Sequence, residues 1–563
     1  MSAFDETFDF VVVGSGAGSM CAALIMRTAG KSAVILEKTS LIGGSTCRSG
    51  GVMWIPNNPF MKAAGVPDSP EQAATYLDTL LGDEKPDVPG ASRARRRQFL
   101  EQAPRMVQFL QSQGIKLTRI SHWPDYYDNL PGGSQRGRTV IAKQFDLNEL
   151  GPWKPRLRPT TIVAPKPAHT ATLEEMMSLQ HMKHSWAVKF TAVRVVLRGI
   201  IANITGKHLT AGGAALQGRM LQACLREEVD VRTDAAVSEI IIEDGAVKGV
   251  VTVKDGKPWR IGARLGVLMD AGGFTHNQRM RDQYAPGTSV KWTIASPGDT
   301  GEMIEEMIRV GAAVAQMEER VGFQSSISPG SEDSDMKPGM QSVTAKPHAI
   351  LVDQSGVRYM TEGGSYMAYC SGMLERNKTV PAVPSYGIMD AQYMANYMIA
   401  GKMPGADIPQ IWLESGWMKK SDTIEGLAQQ LNVDPSTLKS TVDRWNGFCA
   451  KNLDEDFHRG EKAYDVWLGD PYRKESASLG PISVAPYYAV PIIPGDVSTF
   501  GGVVCDEYAR VLRADGSVIP GLYACGACSA SVMGRAYAGA GSSIGPSYTW
   551  GFVAARHAAK VAA

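Results

Sequence analysis

The feature that most constrains this chain is a glycine-rich turn that directly follows its first apolar run. Residues 8–13 are mostly apolar, which is typical of a strand buried on both faces. Glycines stand at positions 14, 16 and 18, and a helix-forming stretch begins near Met20. Glycine lets the backbone bend sharply and approach a phosphate closely, and the N-terminus of the following helix offers free N–H groups to the anion. This pattern predicts a dinucleotide-binding strand, turn and helix in an α/β fold.

A carboxylate at the end of the second apolar run supports the same interpretation. Glu37 follows residues 33–36, about 20 residues after the turn, where an acidic side chain accepts hydrogen bonds from ribose hydroxyls. The strict motif has its third glycine at the position where this chain has Ser19. Because serine is small, close packing of the helix on the strand is still expected.

Further glycine-rich stretches favour FAD over NAD as the cofactor. Residues 43–51 can run along an extended cofactor, although a flexible loop would have the same composition. Residues 521–526 and 537–545, near the other end of the chain, predict an approach to the far end of the same cofactor. An apolar run at 267–274 ends in glycines and predicts another strand on the cofactor side. The expected cofactor contacts are Gly14, Ser15, Gly16, Ala17, Gly18, Glu37, Lys38, Gly44, Ser45, Thr46, Ser49, Gly50, Gly51, Ala236, Val237, Gly272, Gly526, Ser543 and Ile544.

Composition excludes several other classes of protein. At 563 residues the chain exceeds the ~250–300 residues at which single hydrophobic cores stop growing. A formal net charge of +1 gives no general attraction to nucleic acid. The eight cysteines include one CxxC pair, Cys525 and Cys528, but no set at zinc spacing, so no metal site is expected. We find no secretory signal and no apolar run of about 18 residues, so a cytoplasmic location is expected.

The order of apolar, polar and glycine-rich stretches predicts a discontinuous domain. The predicted fold class is α/β, with a Rossmann-type FAD-binding domain interrupted by an inserted α+β catalytic or cap domain. Strands are expected within 231–242, a hairpin across 247–261, and a helical segment near 422–450. The FAD-binding domain is expected to comprise residues 1–153, 209–325 and 498–563, interrupted by a basic apolar insert (154–208) and by the catalytic or substrate domain (326–497).

The insert at 154–208 has an unusual composition. It contains nine lysines or arginines against two acids, Glu174 and Glu175, and the bases alternate with apolar residues and Trp186. This mixture favours contact with a membrane surface, where headgroups meet hydrocarbon. A pair of core helices with solvated bases, or a contact between subunits, would give the same pattern. Its histidines, at 169, 181, 184 and 208, form no convincing set of metal ligands.

Several motifs, taken in order, resemble those of the 3-ketosteroid Δ1-dehydrogenases, in the group of FAD enzymes that also holds the fumarate reductases. The resemblance covers nearly the whole chain except the insert. Fumarate reductases need arginines and histidines that grip a dicarboxylate, whereas the matching region here offers Tyr537 and small residues, which favours an apolar ketone. The motifs are the glycine turn with Glu37, residues 49–58 (SGGVMWIPNN), 124–127 (PDYY) with 130–133 (LPGG), 358–362 (RYMTE) with Tyr366, 486–490 (PYYAV) with 494–496 (PGD), and 537–545.

The resemblance implies roles for four residues. Tyr366 would be the base that takes a proton from C2 of the steroid, helped by Tyr126, while the Tyr537 hydroxyl and the Gly541 N–H would bind the oxygen of the developing enolate. A phenol has an ordinary pKa near ~10, so a second hydroxyl that donates to the phenolate would make it a better base. Tyr127 remains an alternative to Tyr126. Tyr359 and Tyr369 remain alternatives to Tyr366.

The activity implied by the resemblance is removal of two hydrogens from C1 and C2 of a 3-ketosteroid, with the flavin as oxidant. Non-covalent FAD and an external electron acceptor, with a quinone as the hypothesis, are expected. The insert favours a sterol-derived ketone that keeps its side chain, such as cholest-4-en-3-one, and a peripheral position on the inner face of the membrane. A 3-oxo-5α-steroid 4-dehydrogenase, a fumarate reductase-like enzyme and a steroid-binding flavoprotein without turnover are the alternatives. The sequence leaves the oligomeric state open.

Overall fold

The elements alternate between strands and helices along most of the chain. The computed structural model describes residues 4–82, 88–161, 166 and 168–561. The strands are β1 (Glu6–Val13), β2 (Ala33–Leu36), β3 (Val52–Trp54), β4 (Leu117–Arg119), β5 (Thr139–Ala142), β6 (Phe145–Asp146), β7 (Leu209–Thr210), β8 (Asp230–Arg232), β9 (Glu239–Glu243), β10 (Ala246–Lys254), β11 (Lys257–Met269), β12 (Val314–Ala315), β13 (Arg320–Ser325), β14 (Ala349–Val352), β15 (Ser385–Met389), β16 (Lys419–Ser421), β17 (Tyr487–Thr499), β18 (Gly502–Val503), β19 (Arg510–Leu512) and β20 (Val518–Ala524).

The helices are α1 (Ala17–Thr28), α2 (Gly44–Arg48), α3 (Pro59–Ala63), α4 (Pro70–Leu81), α5 (Arg93–Ser112), α6 (Leu173–Leu179), α7 (Trp186–Ile204), α8 (Gly212–Arg226), α9 (Gln278–Tyr284), α10 (Glu302–Arg309), α11 (Tyr366–Arg376), α12 (Ala391–Asn396), α13 (Gln410–Glu414), α14 (Ile424–Leu431), α15 (Pro435–Lys451), α16 (Ala463–Leu468) and α17 (Ile544–Ala559). Short 3₁₀ segments lie at Pro89–Ala91, Leu147–Arg156, Val290–Trp292 and Gly526–Cys528. The strands expected near residues 8, 33, 231, 239 and 247–261 are confirmed, as is helix near 422–450.

The nucleotide-binding sheet has eight strands, with the path β19-β20-β11-β1-β2-β8 and an antiparallel extension through β10 to β9. Strands β20, β11, β1, β2 and β8 run parallel. In the middle of this sheet Val12 pairs with both Leu268 and Ile35, and all three side chains are buried. Helices cover both faces of such a sheet, so its central strands are apolar throughout. The predicted Rossmann-type α/β class is therefore confirmed.

A second sheet stands beside the first and is antiparallel. Its order is β13-β17-β15-β14, and β16 also pairs with β17. The long strand β17 joins the sheet's two halves, because its first half pairs with β15 and its second half with β13. Strand β13 lies within the segment 209–325 predicted for the FAD-binding domain, yet it pairs in this second sheet. The boundary at 325 therefore falls after the first strand of the second sheet, because β17 draws that strand into an antiparallel pair.

The insert forms a helical hairpin. Helices α6 and α7 are joined by a turn in which His181 and His184 both contact the carboxylate of Asp470, at 3.4 and 2.6 Å. Residues 162–165 and 167 of the predicted insert lie outside the described residues. Two of its counted bases are used internally, because Arg194 and Arg198 both pair with Glu175 of α6. The hairpin is thus fixed at its turn and across its two helices.

Helix α7 presents an apolar stripe to its outer side. Trp186, Phe190 and Ile204 are 75%, 73% and 80% exposed, and four further large apolar side chains follow at helical spacing. Along the described ranges, no helix has the length and apolar character that crossing a membrane requires. The stripe contains Trp186, Phe190, Val193, Leu197, Ile200, Ile201 and Ile204.

Candidate active site

One cavity of about 800 Å³ contains almost the whole predicted site. Its wall runs from the glycine turn after β1, along α2 and the segment after it, to the tyrosines and the start of α17. Every expected cofactor contact except Gly18 lines it, and so do Tyr126, Tyr366, Tyr537 and Gly541. The tertiary fold therefore brings the first and the last glycine clusters to one site.

Gly18 is the one expected cofactor contact that does not line the cavity. A Cβ on Gly18 would lie 2.4 Å from the sulfur of Cys525 and 2.7 Å from the carbonyl oxygen of Ser547. Its N–H donates to Ser547 Oγ at 3.2 Å, and Gly551 of α17 packs against its backbone. Gly18 is therefore needed where α1 crosses α17, and it does not reach the cavity, because that helix crossing fills the space beside it.

The glycine turn and the predicted ribose acid are tightly built. Gly14 has a φ of 95°, and a Cβ there would lie 2.3 Å from the carbonyl oxygen of Asp270. Glu37 accepts hydrogen bonds from Ser15 Oγ at 2.6 Å and from the N–H of Thr39 at 2.8 Å. These contacts fix the carboxylate at the cavity wall at the end of β2, where the nucleotide motif requires it.

Ser19 occupies the third glycine position in a way that the sequence did not predict. Its N–H and its hydroxyl both donate to Oδ2 of Asp270, at 2.8 and 2.9 Å. Asp270 directly follows β11, so this pair of hydrogen bonds ties the first turn of α1 to the neighbouring strand. A serine in this motif can thus add a hydrogen bond where glycine would add only close packing.

The donors around the cavity suit a long cofactor that carries phosphates. Helices α2 and α17 begin at cavity residues and have no side-chain cap, whereas in the first turn of α1 the N–H groups of Gly18 and Ser19 already bond to Ser547 and Asp270. Uncapped first turns leave backbone N–H groups for a ligand. Within the described ranges, five buried polar atoms of lining residues have no hydrogen-bond partner: Arg48 Nε, Trp123 Nε1, Arg158 Nε, Thr499 Oγ1 and Trp550 Nε1. The residues present therefore fit FAD.

Sequence reasoning missed several polar side chains of this cavity. Arg158 donates to Thr39 Oγ1 at 3.0 Å, although the sequence places it in the insert. The carboxylates of Asp270 and Asp299 also line the cavity. Both lie within two residues of a glycine in loops between elements, and no established short motif distinguishes them from ordinary turn residues.

Three tyrosine rings meet at the other end of the cavity. The ring centroid of Tyr366 lies 5.4 Å from that of Tyr126 and 5.0 Å from that of Tyr537. Burial raises the pKa of Tyr366 well above its ordinary value of 10, and Tyr537 raises it further, whereas interaction with the Tyr126 hydroxyl lowers it. The Tyr126 hydroxyl thus changes the pKa of Tyr366 in the direction that a helper should change the pKa of a base.

The structure distinguishes these tyrosines from their neighbours in sequence. Tyr126 lines the cavity, while Tyr127 does not. Tyr359 pairs with Ser385 Oγ at 2.8 Å and Tyr369 with Thr344 Oγ1 at 3.0 Å, both away from the cavity. The geometry therefore favours Tyr126 and Tyr366 over the alternatives.

Tyr537 and Gly541 lie together at the start of α17. Burial raises the pKa of Tyr537, whereas the Ser543 hydroxyl, 3.0 Å away, and the backbone N–H groups of Ser543 and Gly541 lower it. Gly541 has a φ of 94°, and a Cβ there would lie 2.4 Å from the carbonyl oxygen of Val52. Only glycine fits this position, where strand β3 passes directly behind the loop.

A fourth buried tyrosine supports this cluster. The ring centroid of Tyr464 lies 4.3 Å from that of Tyr126. Asp128, two residues after Tyr126, accepts the backbone N–H groups of Ala463 and Tyr464, both at 3.1 Å. The start of α16 and the loop that carries Tyr126 therefore hold each other. No sequence motif pointed to Tyr464.

The insert also contributes to the cavity, which the sequence did not predict. Leu173, Met176 and Met177 of α6 and the following Gln180 line it. The loop at 336–343 and residues 398–401 complete this region of the wall. This part of the cavity wall is therefore mostly apolar. It includes α6, which belongs to the same helical hairpin as the exposed stripe of α7.

Comparison with known proteins agrees with this geometry. A family model described as FAD binding domain matches residues 9–544. The chain is 37% identical to a 3-oxosteroid 1-dehydrogenase of Mycolicibacterium smegmatis over 99% of this chain and 98% of the relative. It is 31% identical to a 4-oxocyclohexanecarboxylate 2-dehydrogenase of Sinomonas cyclohexanicum over 99% of this chain and 94% of the relative.

A solved structure extends the comparison to three dimensions. The 3-ketosteroid Δ1-dehydrogenase of Sterolibacterium denitrificans, in complex with 1,4-androstadiene-3,17-dione, matches with a TM-score of 0.89 and 32% identity, over 99% of this chain and 100% of that one. The sequence-based prediction of FAD as cofactor is confirmed. The chain is an FAD-dependent oxidoreductase and belongs to the FAD-binding family that includes the 3-oxosteroid 1-dehydrogenases.

Proposed function

We propose that this enzyme removes the hydrogens of C1 and C2 from a 3-ketosteroid and leaves a double bond between these carbons. The observation that carries the proposal is the meeting of Tyr126, Tyr366 and Tyr537 in the same cavity as the nucleotide-binding glycines. The names of the relatives support the same reaction.

The proposed base is Tyr366. The C2 proton of a 3-ketosteroid is acidic because the adjacent ketone can become an enolate, and the phenolate of Tyr366 would accept it. The Tyr126 hydroxyl, which lowers the pKa of Tyr366, would stabilise that phenolate. Burial works against ionisation in this apolar pocket, so the helper is needed for the base to function near neutral pH.

The proposed oxyanion site is formed by the Tyr537 hydroxyl and the Gly541 N–H. Both would donate to the ketone oxygen as negative charge develops on it. Such preorganised donors act where water is excluded, and the Tyr537 ring is buried. FAD, when bound, supplies the oxidant that takes the hydride from C1. Reoxidation requires an external electron acceptor, for which a quinone is our hypothesis.

The proposed substrate class is a sterol-derived ketone that keeps its side chain, such as cholest-4-en-3-one. The apolar wall formed by Leu173, Met176 and Met177 supports this choice, because it adds apolar surface to the cavity that the tyrosines line. An aliphatic side chain could pack there by burial of apolar surface.

Such a substrate partitions into membranes, and we propose that α7 docks on an anionic membrane surface. Its stripe of seven large apolar side chains is exposed. The helix contains three bases and no acid, and two of the bases, Arg194 and Arg198, share the carboxylate of Glu175 in α6. Lys189 lies over the Trp186 ring at 4.2 Å, which places a positive charge beside the apolar stripe. This combination matches the boundary between anionic headgroups and hydrocarbon. We expect the inner face of the membrane to be the docking side.

Anaerobic mixing of the purified enzyme with cholest-4-en-3-one and with androst-4-ene-3,17-dione tests the reaction. We expect loss of the oxidised flavin absorption band, and mass spectrometry should show loss of two hydrogens. A substrate with two deuterium atoms at C1 and two at C2 should lose one deuterium from each carbon. Reaction only with 5α-reduced ketosteroids would instead establish 4-dehydrogenation, and bleaching by small acids or cyclic ketones alone would contradict a steroid substrate.

A further inference from the structure

Two buried carboxylates face the cofactor cavity, and neither has a role in the nucleotide motif. Asp270 and Asp299 both line the cavity and are almost fully shielded from solvent. Asp270 accepts two hydrogen bonds from Ser19, and Asp299 accepts one from Ser45 Oγ at 3.2 Å. Among the residues that the structure describes, neither carboxylate has an ion pair with a basic side chain.

The carboxylates are held against glycine backbone at the cavity wall. A Cβ on Gly526 would lie 2.2 Å from Oδ1 of Asp270, and one on Gly16 would lie 2.8 Å from Oδ2. A Cβ on Gly272 would lie 2.2 Å from Oδ1 of Asp299. These backbones leave no space for a side chain between the acids and the turn. Asp270 therefore lies directly against the glycine turn, and Asp299 lies directly against Gly272.

Two N–H groups in the first turn of α1 already have acceptors within the protein. The N–H at Ser19 is taken by Asp270, and the N–H at Gly18 is taken by Ser547. The nucleotide motif implies that the diphosphate of FAD would bind at this turn, and Asp270, Asp299 and Glu37 all line the same cavity. Like charges in a site of low dielectric repel strongly, and such groups respond by binding a proton.

The nearby cations Lys38 and Arg158 bond to other partners, and their charges still lower the pKa of Asp299. Lys38 bonds to Thr300 Oγ1 at 2.6 Å and to Glu302 at 2.9 Å, and Arg158 bonds to Thr39 Oγ1 at 3.0 Å. The other ionisable groups that face the two acids are Glu37, Cys525, Cys528 and Tyr548. Burial raises the pKa of Asp270 to about 7, which hydrogen bonds from Ser19 and the Gly18 N–H oppose and the charge of Asp299 supports. Burial raises the pKa of Asp299 to about 6, which the Ser45 hydroxyl and the charges of Lys38 and Arg158 oppose and Glu37 supports.

We propose that FAD enters this cavity together with one proton, which comes from solvent and is held by the pair Asp270 and Asp299. The proton neutralises one carboxylate where the diphosphate arrives. This inference concerns cofactor binding and does not depend on which ketone the enzyme oxidises.

The sign of the pH dependence follows from linkage. Below about pH 6 the pair already holds a proton without FAD, so the affinity for FAD should not change with pH. Above pH 7 the proton must be taken up on binding. The dissociation constant of FAD should then rise about tenfold for each pH unit.

The test is dilution of the full-length holoenzyme between pH 5.5 and 8.5, with free FAD measured by its fluorescence. The wild type should show a flat region and then a rise of about tenfold per unit. Asp270→Asn and Asp299→Asn should each flatten that rise, while circular dichroism checks their fold. Asp255→Asn, at an exposed turn with a φ of 51° that asparagine tolerates, should keep the wild-type profile.

A wild-type affinity that does not change with pH would overturn the proposal outright. If the dissociation constant of FAD still rises with pH in both variants, the proton binds elsewhere. If Asp270→Asn does not fold, the wild-type profile and Asp299→Asn still decide the question.

Discussion

The ring centroid of Tyr366 lies 5.0 Å from that of Tyr537, so the proposed base and the proposed oxyanion donor share one wall of the cavity. The two residues are 171 positions apart in the chain. Tyr366 begins α11, and Tyr537 lies in the loop before α17. A flat ketone lying against this wall would present its oxygen to the Tyr537 hydroxyl and its C2 proton to the Tyr366 hydroxyl.

Tyr366→Phe should bind FAD normally and reduce turnover by orders of magnitude. The substitution removes only the hydroxyl, and the ring still packs against Tyr126 and Tyr537. Rapid mixing should show that reduction of the flavin by steroid slows. The matched control is Tyr369→Phe, one turn along the same helix, whose hydroxyl bonds to Thr344. Near-normal flavin reduction in Tyr366→Phe would remove this residue as the base.

Tyr126→Phe should move the pH profile of flavin reduction to higher pH. The base acts as a phenolate, so the rate rises with pH, and the Tyr126 hydroxyl lowers the pKa of Tyr366. Without that hydroxyl the rise should begin later. Tyr127→Phe is the control, because Tyr127 interacts with Ser365 and lies off the cavity wall. An unmoved profile in Tyr126→Phe, or a shift in Tyr127→Phe, would contradict the choice of helper.

Tyr537→Phe should lower kcat by about 10²–10³, which is the usual effect of losing one oxyanion donor. Steroid binding should weaken less than kcat falls, because the donor matters most when the oxygen carries charge. Steady-state kinetics and product-binding titrations separate the two effects. A rise in KM with unchanged kcat would mean that Tyr537 only binds the ground state.

Gly18→Ala should destabilise the fold rather than weaken one cofactor contact. The added methyl would lie 2.4 Å from the sulfur of Cys525, and overpacking of this kind costs about 1–3 kcal/mol of the free energy of unfolding. Gly447→Ala is the control, since this glycine lies in α15 with no atom within 4 Å of the added methyl. Its alanine variant should be slightly more stable. Urea unfolding of both variants measures the difference.

Leu197→Glu, combined with Phe190→Glu, should release the enzyme from vesicles of phosphatidylglycerol and phosphatidylcholine. Both side chains belong to the exposed stripe of α7, so the charges should not disturb a packed core. Turnover of androst-4-ene-3,17-dione should be preserved. Val253→Glu, on the exposed hairpin of β10 and β11, is the control and should still sediment with vesicles.

A different outcome would assign the stripe to a subunit contact. If the wild type stays in the supernatant with vesicles, and ultracentrifugation shows a dimer that the double variant loses, a second copy covers α7.

The nucleotide-binding half of the fold follows from local sequence signals. The buried strand β1, the glycine turn and Glu37 depend on short-range backbone geometry, which glycine spacing and apolar runs encode directly. The family motifs also selected Tyr126, Tyr366 and Tyr537 before their positions in space were known.

The tertiary structure decided what depends on contacts between distant regions of the chain. It assigned Gly18 to the crossing of α1 and α17, placed Asp270 on the first turn of α1, and brought α6 into the cavity wall. It also paired Arg194 and Arg198 with Glu175, so the charge count of the insert overstated its free basic surface. Local patterns carry no record of these contacts, because each joins residues whose separation in the chain is bridged only when the elements pack.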